Sequence, residues 1–129
     1  MILGGAQENT LLTCEGLIRR GHEVLLLSGP TAGQEGELLA EASRRGVPVE
    51  EVPALVRPVS PLRDLAAYRD LRRRLRRLRP DVAHTHSSKA GFLGRLAARA
   101  ERVPAVVPTI HGLPFHPYQG AAARLIYTQ

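Results

Sequence analysis

Aliphatic runs that alternate with helical patterns, one run with no polar residue, and one strand that turns directly into a helix predict an α/β protein. The expected architecture is a doubly wound parallel sheet whose first strand is truncated. The unbroken run is Val24, Leu25, Leu26 and Leu27, the pattern of a strand covered on both faces. The strand-to-helix turn lies in residues 79–94, RPDVAHTHSSKAGFLG, and makes half of a βαβ unit. Right-handed crossovers then order the strands third, second, first, fourth, fifth. In such sheets ligands bind beyond the carboxyl ends of the strands. That places His84, His86, Ser87, Ser88 and Lys89 where chemistry is expected.

Residues 1–3 read as the end of a first strand, too short against the usual five or six or so residues. Gly4 and Gly5 turn the chain into a helix carrying Leu11, Leu12, Cys14, Leu17 and Ile18, with Gly21 just past its end. Residues 22–27 form the second strand, and Ser28, Gly29, Pro30 and Gly33 a loop. A short helix over 37–45 stops at Gly46, and residues 47–52 alternate enough for a third, edge-like strand. Pro53, Pro58 and Pro61 extend the next connection, with Ser60 placed as N-cap and Pro61 at the first helical position. The helix over 61–79 carries eight arginines and a stripe of Leu65, Tyr68, Leu71, Leu75 and Leu78 to cover the sheet. Residues 82–85 are the fourth strand, and the helix from Ser88 runs to about residue 102. The fifth strand, 105–110, contains Pro108, which implies a bulge or an early end, and it delivers His111 and Gly112 to its carboxyl end. A last helix begins at 121–127. The chain reads as one domain, residues 1–129, and its ends read as cut from a longer protein.

Aromatic residues make up only 4% and Trp is absent, so the core must be built from Leu, Val and Ala. The formal charge of +6 comes from 17 arginines and a single lysine, and it favours anionic partners. Cys14 is the sole cysteine, which excludes an internal disulfide and fits a buried thiol in a reducing compartment. No stretch approaches the roughly 18 apolar residues of a membrane span, and no basic region precedes the first apolar residues. The expected location is therefore cytoplasmic.

Gly4 and Gly5 read first as a tight turn and second as a close backbone approach to a phosphate at a helix amino end, since GGAQ is not the dinucleotide fingerprint. His84 and His86 share one face of a strand. A metal would need a third ligand from His111 or His116, and no metal-binding spacing is present, so no metal is expected. His84 reads as a core histidine bonded to neighbouring backbone, whereas His86 and His111 end strands on the ligand side. Lys89 begins a helix, where a cation is unfavourable unless an anion lies nearby; otherwise it reaches into solvent.

Four segments, GGAQENTLL, RGHEVLLLSGP, RPDVAHTHSSKAGFLGRLAAR and TIHGLPFH, in this order and spacing resemble the amino-terminal domain of GT-B glycosyltransferases of retaining family four. The resemblance implies a Rossmann-like, acceptor-side half of a two-domain enzyme of the hexosyltransferase type. Its co-substrate would be a nucleotide-diphosphate sugar, with no further cofactor, and its acceptor a saccharide or a lipid-linked sugar. By resemblance Gly4 and Gly5 offer amides to the donor diphosphate, His111 lies against the transferred sugar as the catalytic residue, and Gln7, His86, Ser87, Ser88 and Lys89 line the acceptor side. The family's diphosphate-clamping basic pair and its E-x7-E glutamates belong to the second domain, so this chain alone is expected to be inactive.

The arginine-rich helix admits three readings, the plainest of which is a solvated surface in an arginine-rich chain. It could serve an anionic membrane surface beside a lipid-linked acceptor, as a peripheral protein on the inner face. Alternatively the chain is a non-catalytic anion-binding module that uses this helix on nucleic acid or an acidic partner. The arginines lack the aromatic interleaving of single-strand binders and no helix-turn-helix accompanies them, so nucleic acid is not expected.

Overall fold

Leu26 and Leu27 are neighbours in one strand and serve two different cores. In the computed structural model, which describes residues 5–30, 37–86 and 88–110, the elements run α1 (Gly5–Arg19), β1 (Leu26–Ser28), α2 (Glu37–Arg44), β2 (Val49–Glu51), α3 (Pro61–Leu78), β3 (Val82–His86), α4 (Ser88–Ala100) and β4 (Ala105–Thr109). Successive strand residues face opposite sides. Leu26 therefore packs with Leu11 and Cys14 of α1 and Leu38 and Ala42 of α2, while Leu27 packs with Ala67, Leu71 and Leu75 of α3 and Leu93, Ala97 and Ala98 of α4. Helices thus cover both faces, as the unbroken aliphatic run requires.

All pairing among the described residues is parallel. β1 pairs with β2 in the register Leu26↔Val49, and β3 with β4 in the register Val82↔Ala105 through His86↔Thr109. These are two of the neighbour pairs in the expected strand order. The first strand and the last helix of that expectation lie outside the described residues, which form two two-stranded sheets. One core nevertheless runs beneath both, because Leu27 and Val52 share it with Ala83 and Val106.

Several boundaries differ from the sequence expectation. β1 begins at Leu26, not at residue 22, because the closing turn of α1 consumes the preceding residues: Gly21 is left-handed at φ 86° and the His22 N–H donates to Leu17 O at 3.1 Å. β2 is likewise shorter, although hydrogen bonds to its partner reach past both its ends, from Leu26 N–H to Pro48 O and from Val52 N–H to Ser28 O. Pro108 neither bulges nor ends β4, since it pairs in register with Thr85. Among the described residues β4 has a neighbour on one side only, where a missing N–H is tolerated.

The helix ends repeat a pattern. α2 closes through Gly46 and a Val47 N–H to Ala42 O bond, and α4 through Arg102 and a Val103 N–H to Ala98 O bond, as α1 does through Gly21 and His22. α3 ends in left-handed Arg79, whose N–H donates to Leu75 O at 2.8 Å. At its start Pro61 fills the first turn and Ser60 is extended, as expected, but the Ser60 side chain makes no cap bond. Instead the Asp64 carboxylate accepts the Ser60 N–H at 3.1 Å. The buried stripe of α3 is Ala67, Leu71 and Leu75, with Tyr68 partly buried. Leu65 and Leu78, expected in that stripe, are 45% and 41% exposed. The helix has turned toward Ala67, which is fully buried in the same core as Ala97 and Ala98 of α4. Cys14 is buried, and that burial raises its thiol pKa.

Candidate functional site

The carboxyl ends of β1, β2 and β3, the first turn of α1 and the first turn of α4 are brought toward one edge by parallel pairing. The strongest evidence that α1 meets β3 there is a side-chain bond: Thr10 Oγ1 lies 3.3 Å from His86 Nδ1. Thr10 donates its own proton to Ala6 O at 2.8 Å, so its oxygen is left to accept. The bond therefore assigns the Nδ1 proton to His86. His84 and His86 do share a face, with ring centroids 4.2 Å apart. His84 is not the expected core histidine. It is exposed, and its Nε2 lies 2.6 Å from Thr109 Oγ1 on β4. The reason is the face it occupies: Ala83, next to it, takes the core side.

Gly5 opens α1, and a Cβ added there would meet no atom within 4 Å, so open space flanks the amino end of this helix. Gln7 is half buried in the same first turn and engaged by the surrounding structure. Gly4, Ser87 and His111 lie outside the described residues, as does the side chain of Ser88. Among the described residues no cluster of three or more His, Cys, Asp or Glu side chains could hold a metal ion.

Lys89 has the nearby anion that its place at a helix start demands, and the anion is internal. Its ammonium pairs with Asp64 and donates to Val56 O at 2.8 Å and Pro58 O at 2.6 Å. The Lys89 hydrogen bond, opposed by desolvation and aided by the Ser60 N–H, holds the Asp64 carboxyl below the usual carboxylate range. Three donors on three acceptors make Lys89 a fastener between α4, the 52–60 connection and α3. The same connection crosses the end of β1 so closely that Leu55 O stands 1.9 Å from where a Gly29 Cβ would be.

Thr10, Asp64 and Gly29 were not singled out from the sequence as parts of this edge. Thr10 carried one signal, a hydroxyl on the apolar face of a helix. Gly29 read only as loop, because close approach by a segment more than twenty residues away leaves no local trace.

The arginines of α3 are largely answered within the domain. Arg72 and Arg76 both bond Glu101, Arg73 bonds Asp70, and Arg77 bonds Glu50 at 3.0 Å. The hydrogen bonds from Arg76 and Arg72 hold the Glu101 carboxyl below its usual range. On the other face Arg45 joins α2 to α1 by bonding Glu41 and both oxygens of Glu8.

Comparison with known proteins gives this edge a context. A stretch of 76 residues, 59% of the chain, is 42% identical to the UDP-Gal:alpha-D-GlcNAc-diphosphoundecaprenol alpha-1,3-galactosyltransferase of Escherichia coli, and it spans 20% of that relative. No solved structure matches. The Glycosyl transferase 4-like domain family matches residues 4–129, and the chain belongs to that family.

Proposed function

We propose that this chain forms the acceptor-side domain of a glycosyltransferase that moves a hexose from a nucleotide-diphosphate sugar to a lipid-linked or saccharide acceptor, with retention of anomeric configuration. The observation that carries the reading is the 42% identity to a galactosyltransferase named for a diphosphoundecaprenol-linked acceptor. The favoured pair is accordingly a galactosyl donor and an N-acetylglucosamine carried on a polyprenyl diphosphate. The protein would work peripherally at the inner face of the membrane. No described helix is long and apolar enough to cross one.

The chemistry fits the edge described above. As the glycosidic bond breaks, the leaving diphosphate gathers negative charge, and preorganised N–H donors stabilise it. Gly4 and Gly5 would provide such donors at the amino end of α1, where open space lies beside Gly5. His111 would lie against the transferred sugar. Gln7, His86, Ser87 and Ser88 would line the acceptor side, with Lys89 holding the neighbouring wall through Val56 and Pro58. The nucleotide would be held chiefly by a second domain that faces this one.

The test is transfer of labelled galactose from UDP-galactose to the polyprenyl-linked acceptor by the intact protein, with the anomer of the product read by NMR. An α-linked product is expected. Gly5→Val should abolish transfer while leaving the melting temperature near that of the parent, because a Cβ at this position meets no protein atom within 4 Å. His111→Ala should lower turnover. Absence of transfer to this and related acceptors would overturn the reading.

A further inference from the structure

Val59 and Leu62 are 86% and 83% exposed, an unusual position for two aliphatic side chains so close in the chain. Both stand at the amino end of α3, on the edge that carries Gly5, His86 and Lys89. Single exposed aliphatics are ordinary. These two continue into an outward stripe of α3 that changes character along its length: Leu62, half-exposed Leu65 and exposed Ala66 come first, then exposed Arg69 and Arg73. The spacing of three and four places them on one helix face. At about 1.5 Å per residue, Arg69 stands roughly 10 Å and Arg73 roughly 16 Å behind Leu62 along the axis. An apolar tip with basic residues one headgroup layer behind matches the profile of a lipid surface.

The segment is also held. Lys89 bonds the carbonyls of Val56 and Pro58 and pairs with Asp64, so the chain on both sides of Val59 is fastened to α4. Two exposed aliphatics on a fastened support gain nothing from the fold itself. They fit a surface brought to them.

We propose that Val59, Leu62 and Leu65 form a docking tip that enters the headgroup region of an anionic bilayer, with Arg69 meeting lipid phosphates behind it. α3 then stands amino end toward the membrane, an orientation its dipole also favours. This differs from a helix lying flat on Arg72, Arg73, Arg76 and Arg77, each of which already has a carboxylate partner in the domain. The proposal rests on the reading of a lipid-linked acceptor: the tip would hold the acceptor edge of the domain at the surface where such an acceptor presents its sugar.

Co-sedimentation of the intact protein with phosphatidylglycerol-containing vesicles tests the tip without any transfer reaction. The double change Val59→Ser and Leu62→Ser should weaken binding about tenfold, with an unchanged melting temperature. Arg69→Gln should weaken it about fivefold in low salt. Since the chain contains no Trp, Leu62→Trp adds a fluorophore at the tip, and its emission should shift to the blue and be quenched by brominated lipid. Equal binding by the parent and the double serine variant would overturn the proposal. So would a Leu62→Trp emission that vesicles leave unmoved, as when the tip contacts another protein domain. The two readings fail separately. Transfer to a water-soluble acceptor analogue that survives the serine changes, while transfer to the polyprenyl acceptor in vesicles falls, supports both. Tip-dependent vesicle binding with no transfer to either acceptor supports docking and overturns glycosyl transfer. Transfer in vesicles that ignores the serine changes overturns docking alone.

Discussion

Replacing Gly29 with Ala puts a methyl group where the backbone already is. Its Cβ would lie 1.9 Å from Leu55 O and 3.0 Å from Leu55 C. Even to restore 3.0 Å to the oxygen, β1 and the 52–60 connection must separate by at least 1.1 Å, and backbone cannot swing aside as a flexible side chain would. Leu55 packs against the core shared by α3 and α4, and its N–H bonds Val52 O at 2.9 Å, so the displacement spreads into buried residues. Overpacking of this kind costs about 1–3 kcal/mol. For a domain of this size that is a fall of roughly 3–15 °C in Tm. Moving Leu55 also draws Val56 and Pro58 from Lys89, so amide exchange in the 52–60 connection should quicken. Gly16→Ala is the matched control. It lies inside α1 with nothing within 4 Å of the added Cβ, and the helix should gain about 0.5–1 kcal/mol. Differential scanning calorimetry of the pair should move Tm in opposite directions. A Gly29→Ala variant that melts with the parent would refute the close approach.

Other expectations follow from the core and from the ion pairs. Leu71, 5% exposed at the middle of α3, should cost about 2–5 kcal/mol when cut to Ala, measured by urea unfolding. The carboxyl pKa values of Glu101, Glu41 and Asp64 are all lowered in the folded state, chiefly by hydrogen bonds from Arg76, Arg45 and Lys89 respectively. Their contribution is therefore complete above the unfolded carboxylate range of about 4 and is lost as pH falls through the lower folded values. Tm should be flat above about pH 5 and fall below it. Glu101→Gln should melt lower at neutral pH and show a shallower acid decline.

Much of this architecture was legible because its signals are local. The run Val24 to Leu27 announced a strand covered on both faces, and the opposite allegiances of Leu26 and Leu27 are that fact in three dimensions. Gly21 and Gly46 were readable as helix stops, since few other residues take a left-handed backbone without strain. Arg102 does the same work with no such signature. Placing His84 and His86 on one face needed only the period of two. Deciding which face was core did not follow from that, and Ala83, a small residue that reads as neutral, turned out to occupy it. At the candidate site single residues drew notice from their positions, but their connections could not be read. Lys89 was noticed for its position, yet its partner Asp64 lies in another helix, and the loop it fastens comes from a third element. Charge was the least informative signal, because eight arginines in one helix predict an anion and cannot say that Glu50, Asp70 and Glu101 supply it.

The repeated helix ends have a consequence for how such a domain changes over generations. From three of the four left-handed residues the next strand starts three positions later, at Val49 after Gly46, Val82 after Arg79 and Ala105 after Arg102, whereas β1 starts five positions after Gly21. An insertion in any of these short returns would slip a strand by one residue and turn every side chain on it to the wrong face. The opposite edge has no such metronome: the connections there run from eight residues before α2 to nine before α3 and a single one before α4. Those connections keep no common length, and the one before α3 is held in place by contacts at Gly29 and Lys89 instead of by its length. One rim of the domain is thus fixed in length by its own geometry, and differences in length are confined to the other.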